Sequence, residues 1–151
     1  MSHEMGPLSI EERSTMLVEK FMGLSNWEDR YAELIKMGRL LPDMPAELKV
    51  EEKIVKGCQS QVWLHVTRGA DGSLEFIGDS DALIVKGLVA VLIFIYSGAQ
   101  PQDILKTPPE FLKHMGFEGN LSPSRANGLH AMLKQIKLYA MAFTMMDTKT
   151  K

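Results

Sequence analysis

The segment from Ala82 to Ser97 is apolar on almost every side of a helix, interrupted only by Lys86 and Gly87. A helix of that kind has no face to offer to water and must be surrounded by the rest of the protein. Its densest stretch, Leu88 to Tyr96, is about half the length of the roughly 20 residues that a membrane span requires, and Lys86 lies just ahead of it. The expectation is a central helix inside a globular body. The remaining chain then has to supply the layers around it.

Helical signals precede it. Ser9-Ile10-Glu11-Glu12 and Ser25-Asn26-Trp27-Glu28 each have the form of a capping box. The first predicts a helix to about Leu24. The second predicts one with Trp27, Tyr31, Leu34, Ile35 and Leu41 on one face, ended by Gly38, Pro42 and Pro45. After a charged stretch from Glu47 to Lys56 the period changes. Val62, Leu64 and Val66 alternate with Gln61, Trp63, His65 and Thr67, the pattern of a strand with Trp63 on its outer face. A turn at Gly69-Ala70-Asp71-Gly72 predicts a returning strand from Ser73 to Ile77, and Gly78-Asp79-Ser80-Asp81 then offers caps for the central helix.

Beyond that helix, short helices are expected at Pro101 to Lys106 and around Pro109 to Met115. The last helix should open at Ser122-Pro123 and run to about Met146. The expected fold is α+β, with helices packed on one face of a small antiparallel sheet. It forms a single domain over 1–151, with 1–8 and 147–151 frayed.

Charge and cysteine content narrow the function. A formal net charge of −2 with no cluster of Lys and Arg predicts neither a nucleic-acid nor a membrane partner. The stretch Met1 to Pro7 is not a signal peptide, and a single cysteine suits a reducing compartment, so a cytoplasmic location is expected. One thiol is too few for a cysteine-ligated cluster or a multi-cysteine zinc site. The 4 histidines are scattered without ligand spacing, so no metal or other cofactor is expected. Core filling accounts for Met141, Met145 and Met146. Ser122 and Ser124 read as caps, with no histidine nearby to activate them.

Cys58 is what remains. Gly57 before it lets the backbone turn sharply, which holds the thiol at a loop tip, and Lys53 and Lys56 are candidates to stabilise a thiolate. On position alone, a small buried hydrophobe and a reactive thiol fit equally well. Gln59, Ser60 and Gln61 supply no acid or base, so no catalytic triad is expected. Arg125 lies in the first turn of the last helix, where a cation meets the positive end of the dipole. That placement points to a specific carboxylate partner, in the fold or on another protein.

Gly57-Cys58-Gln59-Ser60-Gln61-Val62-Trp63 resembles the reactive-cysteine motif of the SufE family of sulfur acceptors. Asn26-Trp27-Glu28-Asp29-Arg30-Tyr31 with Gly38-Arg39-Leu40-Leu41-Pro42, Gly78-Asp79-Ser80-Asp81-Ala82 through Leu88, and Leu121-Ser122-Pro123-Ser124-Arg125-Ala126-Asn127-Gly128-Leu129 resemble three further segments of that family, in order. The resemblance implies a fold shared with IscU-type scaffolds. It also implies that Cys58 accepts a persulfide from a pyridoxal-phosphate-dependent cysteine desulfurase (SufS- or CsdA-like), stimulates that enzyme, and passes the sulfur toward an iron–sulfur scaffold or another acceptor. The pyridoxal phosphate would belong to the partner, and the chain would not be an enzyme on its own. By the same analogy Asp81 stands near the reactive loop, and Gly57, Gln59 and Arg125 support it or dock the partner. The loop would hold Cys58 toward an apolar pocket and swing it out on docking. A single-cysteine thiol redox enzyme and a non-carrier regulatory module of a desulfurase stay open as alternatives.

Overall fold

The computed structural model describes residues 8–150, the side chains of 148–150 excepted, so the expectations for Met1 to Pro7 and for Lys151 lie outside the described residues. The elements in order are α1 (Ile10–Met22), α2 (Trp27–Arg39), two single 3₁₀ turns at Ala46–Leu48 and Glu51–Lys53, β1 (Val62–Arg68), β2 (Leu74–Ser80), α3 (Leu83–Tyr96), α4 (Pro101–Lys106), α5 (Phe111–His114) and α6 (Pro123–Thr150). The fold class is α+β, as expected. No helix among the described residues is long and apolar enough to cross a membrane.

Helix α3 is the centre. Val85, Leu88, Val89, Val91, Leu92, Ile95 and Tyr96 are all buried, and each large apolar side chain removed from water contributes about 1.5–3 kcal/mol. One side of α3 covers the sheet, and α1, α2 and α6 pack around the rest. The sheet is an antiparallel hairpin with Val62 opposite Ser80 and Arg68 opposite Leu74. Its inner face carries Val62, Leu64, Leu74 and Phe76, all buried. A hydrophobic cluster extends from Ile10 to Ala140.

Glycines at the α2–α3 crossing bring two backbones together. A Cβ on Gly87 would stand 2.3 Å from the Leu34 carbonyl oxygen, and one on Gly38 would stand 3.0 Å from the Gly87 nitrogen. Gly38 was expected to end α2, but it lies buried inside the helix, which continues to Arg39. Close packing, which periodicity does not reveal, is the reason for that glycine.

Several other boundaries differ from expectation. The cap of α2 is Asn26, whose side chain accepts from the Asp29 amide at 2.8 Å, and not Ser25. The box at Ser9 and Glu12 forms in both directions as expected. Asp79 and Ser80 do not cap α3, because β2 runs on to Ser80. Ala82 precedes the helix with no side-chain cap, and Asp81 is directed elsewhere. Cross-strand pairing with Val62 and Trp63 outweighs the local capping preference.

The last helix runs beyond the expected end at Met146. It reaches Thr150, held where Asp147 forms a two-pronged ion pair with Arg68 at 2.6 Å per contact. Met141, Met145 and Met146 do not fill the core; they are 47%, 58% and 55% exposed. Tyr139 and Phe143 turn one face of the helix to the sheet, and the step of about 100° per residue carries Met141 and Met145 away from it.

Candidate functional site

Cys58 stands on a short loop closed at its base. The Val55 amide donates to the Val62 carbonyl at 2.8 Å, and Ile54 bridges to Trp63. On the far side the Gln61 amide donates to Asp81 Oδ1 at 3.0 Å, while the Asp81 amide donates to the Gln61 carbonyl at 3.3 Å. Ser80 Oγ donates to the same carbonyl at 2.8 Å. Asp81 is therefore an anchor of the loop rather than a helix cap. Gly57 supplies the turn with φ +96°, a conformation a side chain would strain. Lys56, Gly57, Gln59 and Gln61 are exposed, so the tip between the anchors has few contacts.

The thiol itself is half-buried against α6, its Sγ donating weakly to the Gly128 carbonyl at 3.7 Å. It borders a cavity of about 450 Å³. Gln59 and Ser60 from the loop, Ile35 of α2, Ala82 to Val85 at the start of α3, and Ser124, Arg125 and Gly128 of α6 complete its walls. A groove of equal volume, lined by Met16, Leu40 and Phe94, is apolar apart from Lys20 and does not include the cysteine.

Burial raises the Cys58 pKa above the ordinary thiol value. The expected cationic stabilisers are not in place: Lys53 instead acts on His65, whose pKa is lowered by burial and then by that charge. At neutral pH the resting thiol is protonated, and its thiolate fraction rises tenfold per pH unit until the raised pKa is reached. Alkylation of Cys58 by a small haloacetamide should therefore climb through the range from about pH 6 to 8 with no plateau. Asp81→Ala, which frees one anchor, should speed alkylation several-fold across that range. A plateau near neutral pH, or an unchanged rate in Asp81→Ala, would contradict this account of the loop.

Arg125 faces no carboxylate within ion-pair distance among the described residues. Its guanidinium lies 5.9 Å from the centre of the Tyr31 ring, at the edge of the cavity. Tyr31 is fixed by its hydroxyl, which donates to the Asn120 carbonyl at 2.8 Å, and by Trp27, whose ring centre is 5.5 Å away. The internal carboxylate anticipated for Arg125 is thus replaced by an aromatic face. Trp63 is not among the residues lining the cavity. It faces the Lys49 ammonium at 5.6 Å, and Lys49 also pairs with the nearly buried Asp79 at 2.6 Å. Burial acts to raise the Asp79 pKa, but Lys49, the Ser80 amide and Lys86 more than offset it and the net shift is downward. This pairing fastens the strap ahead of Cys58 to the sheet.

The structure thus gathers Cys58, Gln59 and Arg125 around one cavity and places Gly57 and Asp81 at the hinges of its loop. Sequence reasoning passed over Tyr31, Val55 and Gly128 as parts of the site. For Gly128 a signal was present, a glycine inside an otherwise regular helical pattern.

Among solved structures, the solution structure of a hypothetical protein from Thermus thermophilus superposes with a TM-score of 0.72. It is 24% identical, over 88% of this chain and 96% of that one, a likeness that speaks to the fold. The sequence also matches the SufE family, described as an Fe-S metabolism associated domain, across residues 15–140. With that match spanning most of its length, the chain belongs to the SufE family.

Proposed function

We propose that the chain is a sulfur carrier that takes a persulfide onto Cys58 from a pyridoxal-phosphate cysteine desulfurase and delivers it toward iron–sulfur cluster assembly. The observation that carries the reading is the position of the thiol. It is half-buried beside a cavity, on a loop with pinned ends and a loosely held tip, in a chain of a family associated with Fe-S metabolism. Such a loop belongs to the low-stability part of a fold, where local opening costs little.

At rest the half-buried, protonated thiol is a poor nucleophile toward bulk reagents. Docking swings Cys58 outward, which relieves the desolvation and permits ionisation. The thiolate attacks the outer sulfur of the partner's persulfide, and a bond from Sγ to that sulfur forms as the partner's S–S bond breaks. The partner's cysteine leaves as a thiolate and recovers the proton given up by Cys58. Sulfur changes hands with no net oxidation, so the chain needs no cofactor of its own and no resolving cysteine. A reducing, cytoplasmic setting keeps the acceptor thiol available.

Mass spectrometry of the chain after incubation with desulfurase and cysteine tests the reading: Cys58 should gain one sulfur. An unmodified Cys58 alongside a stimulated desulfurase would favour a regulatory module instead. Arg125, with its guanidinium at the cavity edge and no internal carboxylate among the described residues, serves the docked state. Arg125→Ala should raise the apparent KM of the desulfurase for the carrier roughly tenfold, about 1.4 kcal/mol, while leaving the melting temperature nearly unchanged. Unaltered transfer kinetics in that variant would make Arg125 an ordinary surface residue.

A further inference from the structure

Gly128 lies in the second turn of α6 and is buried. Its φ is not positive, so the backbone does not call for glycine, and a helix interior disfavours glycine relative to alanine. Crowding does not call for it either. Beyond its own helix backbone and among the described residues, a Cβ at 128 would meet only Cys58 within 4 Å, at 3.6 Å from Sγ and 4.0 Å from Cβ, both ordinary contacts. A reduced thiol could therefore rest on alanine. The bare backbone leaves room there for something larger than a thiol.

The surroundings agree. Ser124 stands one turn earlier on the same helix face, and Ala131 lies beneath Gly57, 3.4 Å from where a Cβ of that glycine would be. The cysteine loop thus lies against small residues of α6, with Ala131 under Gly57 and Gly128 under Cys58. Across the cavity the first turn of α3 has no side-chain cap, and Arg125 stands at the edge. A persulfide is more acidic than a thiol and is anionic near neutral pH, and these donors suit an anion.

Building on the carrier reading, we infer that Gly128 is the seat of the transferred sulfur. The outer sulfur of the Cys58 persulfide lies over its bare Cα, inside the cavity. The direction straight at the backbone is closed by the Cα itself, so the outer sulfur, bonded at about 2.05 Å to Sγ, passes beside it; a methyl at 3.6 Å from Sγ widens the closed cone to roughly 70° around its own direction. Alanine therefore evicts the outer sulfur from the seat and leaves it turned toward solvent.

The test loads Cys58 without any desulfurase. Inorganic tetrasulfide gives one sulfur to the Cys58 thiolate and leaves as trisulfide, so the reaction balances without an oxidant. Glutathione is then added, and its removal of the outer sulfur is followed by intact-mass spectrometry. Gly128→Ala should melt at or above the wild-type temperature, yet lose the persulfide to glutathione at least tenfold faster. Gly128→Ser should behave in the same way. Because stability and persulfide lifetime move in opposite directions, a merely structural role for Gly128 cannot produce the result. Equal lifetimes in wild type and Gly128→Ala would overturn the inference. So would a wild-type persulfide that reacts as fast as one on a peptide of the sequence from Lys56 to Val62. A chain that protects a chemically made persulfide but takes none from a desulfurase would refute the carrier reading alone and leave the seat standing.

Discussion

Replacing Cys58 with serine is expected to reduce sulfur acceptance to background while the protein stays folded. The hydroxyl is close to the thiol in size and can still donate to the Gly128 carbonyl, so the packing against α6 survives. It is a far weaker nucleophile and cannot hold a sulfane sulfur under these conditions. With labelled cysteine and a desulfurase, Cys58→Ser should carry no label and should no longer raise desulfurase turnover, yet compete with wild type for docking. Wild-type stimulation by the serine variant would mean that sulfur does not pass through this residue.

The largest expected effect on stability belongs to Gly87→Ala. The added Cβ would lie 2.3 Å from the Leu34 carbonyl oxygen and 2.6 Å from its carbon, both backbone atoms inside a packed crossing. No rotamer relieves such a contact, so α2 must move away from α3 and expose apolar surface along the central helix. A cost of about 3 kcal/mol or more is expected, a large part of the roughly 5–15 kcal/mol available to a domain. At a urea m-value of roughly 2 kcal/mol/M the unfolding midpoint should fall by more than about 1 M. An unchanged midpoint would show the crossing to be looser than described. Because Ile35 and the start of α3 also wall the cavity, the same variant should speed alkylation of Cys58.

Legibility followed the range of the forces involved. The capping box at Ser9, the alternation from Val62, the apolar girth of α3, and α4 at Pro101–Lys106 are set within a few residues by hydrogen-bond geometry and periodicity. These were readable from the chain. That Cys58 sits on a loop turned by Gly57 was readable too, whereas position alone left its role open and only the family resemblance favoured a reactive thiol.

The cap of α3 was misread for the opposite reason. Asp79, Ser80 and Asp81 have the composition of a cap. Each nevertheless has a better partner elsewhere: Asp79 has Lys49 and Lys86, Ser80 has the Gln61 carbonyl, and Asp81 has the Gln61 amide. The end of α6 was misplaced in the same way, since only the folded hairpin presents Arg68 to Asp147.

By itself, then, the sequence determined the element types, the burial of the central helix, the family and the presence of a single cysteine. Those rest on local patterning and on residue chemistry that does not change with context. The tertiary structure alone decided why Gly38, Gly87 and Gly128 are glycines, which aromatic ring holds Arg125, and that burial raises the Cys58 pKa where neighbouring lysines were expected to lower it. These depend on close approach between segments far apart in the chain, such as Tyr31 to Arg125 and Cys58 to Gly128, where the last few ångströms set both sterics and electrostatics.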